Sequence, residues 1–264
     1  MLDQLVGLEL KLSLPPGVAR IDLHAGSNLA REIILNARLR LPGPKIEGYL
    51  TVVELHANEL LNRFSPPWLA PLIELDADAK ASFKSDGLRQ GSVEINGSLP
   101  RLRWRAGDKD LTLAADDFKA GIAVRGGDIV VMVHELALAH PKLKLSGKLT
   151  RQSTPDFASL ELDGSAVDVL STREAALTLF GQIPAVRKTF DIIRDGKVPS
   201  ISFRAQGERL ADLGKASNMI IKGTMQQGSL FVPKPGLDLT DVFGEVLISQ
   251  GVLHGDQLKA RMGS

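Results

Sequence analysis

The dominant pattern along this chain is strict alternation of apolar and polar residues, the period of a β-strand with one dry and one wet face. Leu8, Leu10, Leu12 and Leu14 alternate with Glu9, Lys11 and Ser13; Ile33, Leu35, Ala37, Leu39 and Leu41 alternate with Asn36, Arg38 and Arg40. Further runs cover 46–52, 75–83, 93–99, 102–106, 111–115, 118–124, 129–138, 143–149 and 160–166, then 201–205, 220–225, 242–248 and 258–262. Between them stand turn-forming clusters such as Pro15-Pro16-Gly17, Pro42-Gly43-Pro44, Gly126-Gly127-Asp128 and Pro233-Lys234-Pro235-Gly236. Strands linked this way form an antiparallel meander, which buries one face and wets the other. The expected fold is mainly β: a long curved antiparallel sheet, an open β-groove.

A short phrase, apolar-x-Gly-x-apolar, recurs at Ile46-Gly48-Leu50, Ile95-Gly97-Leu99, Leu145-Gly147-Leu149, Leu162-Gly164-Ala166, Ile221-Gly223-Met225 and Val242-Gly244-Val246. Each glycine falls in the apolar register, where a missing side chain permits a bulge, a bend or a close approach. The irregular spacing excludes a solenoid of fixed period. Two stretches leave the strand rhythm. Residues Glu59 to Phe64 predict a short helix stopped by Ser65-Pro66-Pro67. A helical pair is expected near 171–196. Its first helix is capped by a box of Ser171 and Glu174, striped by Ala176, Leu177 and Phe180, and stopped by Gly181. Its second starts at Pro184, presents Val186, Phe190 and Ile193, and stops at Gly196.

Composition narrows the function. The 264 residues are 44% hydrophobic with a net charge of +1, so the chain is globular and lacks the clustered basic charge that nucleic acid requires. There is no cysteine, which removes disulfides, thiol chemistry and cysteine-based zinc sites. The sequence shows no apolar run long enough to span a bilayer and no export signal at its start. Work outside the cytoplasm would therefore make the chain a piece of a longer protein.

Candidate chemistry is sparse. His24, His56, His134, His140 and His254 have no metal-ligand spacing. Glu74, Asp76 and Asp78 share a strand face, but a straight strand lacks the turning glycine and carbonyls of a calcium loop. Arg101, Arg103 and Arg105 line one strand face, and Lys142, Lys144 and Lys148 another, as either solvated charge or contacts for anionic headgroups. No nucleophile elbow, P-loop or dinucleotide fingerprint is present, so neither an enzyme nor a cofactor is expected.

From about Ser153 onward the order of phrases resembles the C-terminal portion of AsmA-like bacterial envelope proteins. The resemblance is carried by Asp163-Gly164, the helical pair, Phe190-Asp191-Ile192-Ile193-Arg194-Asp195-Gly196-Lys197-Val198-Pro199, Ile201-Ser202-Phe203, Asp212-Leu213 and Ile220-Ile221-Lys222-Gly223-Thr224. It continues through Leu237-Asp238-Leu239, Val242-Phe243-Gly244-Glu245-Val246, Gly251-Val252-Leu253-His254-Gly255 and Ala260-Arg261-Met262-Gly263. It divides the chain into a β-meander segment, 1–152, and an AsmA-like C-terminal segment, 153–264. The resemblance implies a bent sheet with an apolar inside. It also implies a periplasmic place, anchored to the inner membrane by an N-terminal helix of a longer parent, and a part in phospholipid movement and outer-membrane biogenesis.

The physical reading agrees with that role. An eight-residue strand spans about 27 Å, near the length of an extended acyl chain, and each buried methylene contributes about 0.8 kcal/mol. The expected lipid-facing positions are Leu35, Leu39, Ile95, Leu99, Leu145, Leu149, Leu162, Ile221 and Val246, with phospholipid or another acyl lipid as partner. Two other readings stand beside it: a structural or adhesive β scaffold whose apolar face closes on itself, and a hydrolase with a site assembled by folding.

Overall fold

The computed structural model describes residues 6–58, 70–87, 89–106, 109–255 and 257–262. The chain is mainly β, one long open antiparallel sheet with two short helices. The first eight strands are β1 (Val6–Ser13), β2 (Val18–Gly26), β3 (Ala30–Arg40), β4 (Lys45–His56), β5 (Leu72–Asp86), β6 (Gln90–Ala106), β7 (Lys109–Arg125) and β8 (Asp128–His140). They are followed by β9 (Leu143–Ser153) and β10 (Asp156–Asp168), helices α1 (Val169–Phe180) and α2 (Pro184–Ile192), and β11 (Ile193–Gly207). After two 3-10 turns come β12 (Met219–Val232), β13 (Leu237–Ser249), β14 (Val252–His254) and β15 (Lys259–Met262). Each strand pairs with its sequence neighbour up to β14, and β15 also pairs with β13. That order is the meander that the turn clusters predict. The expected helix at Glu59–Phe64 lies outside the described residues.

Two pairs of predicted runs are single long strands. The runs on either side of Pro100 form β6, and those on either side of Asp116-Asp117 form β7. The β6–β7 register slips between Gly97 and Leu102, opposite Phe118, Ala115 and Leu113. Pro100 has no N–H to give to a ladder, and a bulge accommodates it without ending the strand.

The chain divides into two compact units, Met1–Leu136 and Ala137–Ser264. The division falls inside β8, ahead of the sequence-based boundary at 152/153. β9 belongs with the second unit because it pairs with β10 through ten consecutive positions, from Ser153↔Asp156 to Lys144↔Ser165.

In the second unit the sheet is closed over. Val169 of α1 and Ile192 of α2 are buried in one cluster with Val198, Ala205, Met219, Ile221, Met225, Leu230, Val242, Val246 and Ile248. Ile192 carries α2 onto this cluster beside Met219, Ile221 and Ile248. The helices reach this position by local means that differ from the sequence reading. The cap of α1 is Asp168, whose carboxylate accepts the Ser171 N–H at 3.1 Å and also the Ser171 hydroxyl. The helix thus begins two residues before the expected Ser171–Glu174 box. Its buried residues are Val169 and Ala175, while Phe180 of the expected stripe is exposed. α2 starts at Pro184 as expected but ends at Ile192, so Ile193 and Gly196 belong to β11. Val186 and Phe190 are half-buried and Ile193 is fully buried.

The capping arrangement sets a pH dependence. Hydrogen bonds from the Ser171 hydroxyl, then from its N–H, hold the Asp168 carboxyl below the ordinary carboxylate range. A carboxyl with a depressed folded pKa contributes stability above its unfolded value and loses it as pH falls through the folded one. Asp168→Ala should cost about 1 kcal/mol at neutral pH. The gap between variant and wild type should close in acid, below the ordinary carboxylate range. A gap that persists unchanged in acid denaturation curves would show that the cap is not electrostatic.

Candidate functional site

The first unit has a different interior. Leu111 apart, every fully buried apolar residue described there is an alanine: Ala25, Ala30, Ala57, Ala77 and Ala115. Its larger apolar side chains lie in rows across the sheet, built by strand register. One row runs Leu10–Leu23–Leu35–Leu50–Ala81–Ile95–Ala120, one residue from each of β1 to β7. The next runs Leu12–Ile21–Ala37–Gly48–Phe83–Val93–Ile122, and on the other side lies Ala25–Ile33–Val52–Ala79–Gly97–Phe118. Because side chains alternate across a strand, these three rows share one face.

Two of the rows reach the surface, whereas the Ala25 row is buried to half-buried. Leu10 is 62% exposed and Val93 42%, and Leu12, Ile21 and Ile122 are exposed as well. The middle of the central row, Leu23 to Ala120, is half-buried. The elements that this unit contributes among the described residues from β1 to β7 are the strands of one sheet. A contiguous apolar surface of this extent marks a site of interaction.

The recurring glycines serve these rows. Gly48 lies opposite Phe83, Gly97 opposite Phe118, Gly147 opposite Leu162, Gly164 and Gly223 on either side of Ile201, and Gly244 opposite Met225. A Cβ at Gly48 would stand 2.6 Å from the Phe83 ring, and one at Gly164 would stand 2.8 Å from Ile201 Cγ2. Gly48, Gly147 and Gly164 make room for the larger side chain across from them, whereas at Gly97 and Gly244 a Cβ would meet the backbone of Asp78 and of Gln257.

The opposite face of the first unit is charged and partly paired. The arginine stripe and the carboxylate stripe are each other's partners: Arg101 and Arg103 reach Glu74 at 3.2 and 3.3 Å, and Arg103 and Arg105 both reach Asp110 at 3.0 Å. The hydrogen bond from Arg105, assisted by Arg103, holds the Asp110 carboxyl below the ordinary range. Asp76 is engaged by His56 at 2.7 Å, and Asp78 accepts the Glu54 N–H at 2.8 Å. Arg40–Glu47 and Lys45–Asp86 continue the pattern. Among the described residues no group of three or more His, Asp or Glu is placed to hold a metal ion, and no helix is long and apolar enough to cross a membrane.

No family model, curated protein or solved structure matches this chain. Its own geometry therefore carries the reading.

The nine positions read from sequence as lipid-facing separate into groups. Leu35 and Ile95 stand in the central row, Leu39 pairs with Ala19 and Ile46 at one end of the same face, and Leu99 pairs with Ala115 at the β6 bulge. All four are half-buried. Leu145, Leu149 and Leu162 are half-buried in the second unit, and Leu149 packs against its core. Ile221 and Val246 are core residues, 8% and 6% exposed. Residues that sequence reasoning did not single out, Leu10, Leu23 and Leu50, complete the central row. Their alternation is visible in the sequence, but membership of a common row depends on register.

A groove of about 540 Å3 also lies on the second unit, lined by Asp163, Ile201, Lys222, Glu245, Leu247 and His254 among others. Asp163 is held there by Arg204, at 2.8 and 2.9 Å to its two oxygens.

Proposed function

We propose that the first unit is a non-enzymatic lipid-binding surface, which takes the acyl chains of phospholipid along its three apolar rows, in an AsmA-like protein of the bacterial periplasm. The observation that carries this reading is the seven-strand row from Leu10 to Ala120, flanked by two more. Water against such a surface is unfavourable by about 25 cal/mol per Å2 of apolar area, and acyl chains remove that cost without any polar chemistry. Charged residues on the other face are compatible with water, which leaves the apolar face as the side that gains from a lipid. The second unit takes the scaffold role: its face is filled by its own helices.

The test is residue-specific photo-crosslinking in the presence of phospholipid vesicles. Crosslinkers at Leu35 and Ile95 should capture phospholipid, whereas those at Asn36 and Asn96, one residue on and so on the opposite face, should not. Ile221, inside the closed core, should also stay unlabelled. Equal capture at all five positions, or none at any, would remove the reading.

A further inference from the structure

We propose that the turn end of β2 to β5 is a docking surface for an anionic lipid bilayer, a role independent of what the apolar rows bind. The first observation is an excess of cations on the polar face. Strand register sets Arg20 directly opposite Arg38, and Arg40 directly opposite Lys45. Glu47 stands between Arg38 and Lys84, and Asp86 lies opposite Lys45. Like charges directly opposite one another are destabilising. The arginines of β6 stand opposite carboxylates instead: Arg101 faces Asp76, Arg103 faces Glu74 and Arg105 faces Asp110. At the turn end of β2 to β5 five cations share two carboxylates. Glu47 bonds Arg40 and Asp86 bonds Lys45, each at 3.1 Å. Arg20, Arg38 and Lys84 are exposed and, among the described residues, make no ion pair.

The second observation is an apolar tip at the same end. Leu14 is 71% exposed and Leu41 56% exposed, in the adjoining β1–β2 and β3–β4 turns, which are joined by the Leu41 N–H donating to the Gly17 carbonyl at 2.9 Å. Attachment at the boundary between headgroups and acyl chains grows with the apolar area buried and with attraction to anionic lipid, and this end offers both. The extent of the cations selects a bilayer over a single phosphate. Neighbouring strands lie about 4.8 Å apart, so the row from Arg20 on β2 to Lys84 on β5 covers about 14 Å. One phosphate group cannot reach both ends of that row; a layer of headgroups can.

Co-sedimentation of the full chain with vesicles tests this. The wild type should bind vesicles containing phosphatidylglycerol about tenfold or more tightly than vesicles of phosphatidylcholine alone, and added salt should shrink the difference. R38Q should weaken binding to the anionic vesicles about fivefold, and R38E or K84E about tenfold or more. K234E makes the same change of charge at the exposed β12–β13 turn and should stay within about twofold of wild type. L41S should weaken binding without altering its salt dependence. Equal binding to the two kinds of vesicle would overturn the proposal, and so would R38E and R38Q binding as tightly as K234E. Release by soluble glycerol phosphate, at the phosphate concentration of the lipid, would show a site for one phosphate and overturn it as well. Capture of phosphatidylcholine by crosslinkers at Leu35 and Ile95 reads the opposite face, so either reading can fail alone.

Discussion

Gly196→Ala should destabilise the second unit by about 3 kcal/mol, among the largest effects of any single methyl group in this chain. Gly196 lies in β11 with φ +127°, a conformation that side chains with a Cβ rarely adopt. It is buried where the β11–β12 register shifts, between Asp195 and Lys197. An added Cβ would stand 2.7 Å from the Gly228 Cα and 3.3 Å from the Gln226 carbonyl. These are backbone atoms, so relief requires the strands to separate. Gly43→Ala is the matched control, because a Cβ there meets nothing within 4 Å. Denaturant unfolding of the two variants should show a clear loss for the first and little change for the second. Equal midpoints would mean that the β11–β12 crossing is looser than described.

Leu230→Ala should cost about 2 to 5 kcal/mol, the range for emptying a fully buried leucine site. Leu230 is 0% exposed, pairs with Ile193 of β11 and Leu239 of β13, and belongs to the same buried cluster as Met225 and Val242. The loss corresponds to a fall in melting temperature on the order of 10 °C. Leu10→Ala removes the same atoms from a position that is 62% exposed and should change stability by less than about 0.5 kcal/mol. The contrast tests the central distinction of this molecule: in one unit leucine holds the fold together, and in the other it furnishes a surface. Equal losses at both positions would show that the Leu10 row is covered and that the lipid reading has no surface to act on.

The two units are built differently. Helices α1 and α2 and the 3-10 turn at Leu210–Gly214 are inserted between strands of the second unit, and Val169, Ile192 and Leu213 from them complete its core. The first unit has strands of similar pattern. Its paired charges, with Arg101, Arg103 and Arg105 matched to Glu74 and Asp110, keep one face wetted. That leaves the Leu10 and Leu12 rows as the exposed apolar surface.

Alternation by itself determined most of the architecture. A period of two states that a residue is in a strand and which of two faces it takes, so the strands, their meander order and the sidedness of Leu35, Ile95 and Ile221 were all legible. So were the helical interruption after β10 and the role of the recurring glycines as places of close approach. Local chemistry was less decisive at the element ends. Asp168 displaced the expected Ser171–Glu174 box because its carboxylate reaches both Ser171 donors, and Gly196 proved to be a bulge residue rather than a helix stop. What only the tertiary structure decided is what lies over each face. Leu35 and Ile221 have the same pattern around them in sequence, yet Ile221 lies in a buried core shared with Ile192 of α2, and Leu35 is half-buried in a row that begins at the exposed Leu10. The periodicity of a strand separates its faces, but whether a face is roofed depends on contacts between residues far apart in the chain, and no local pattern encodes them.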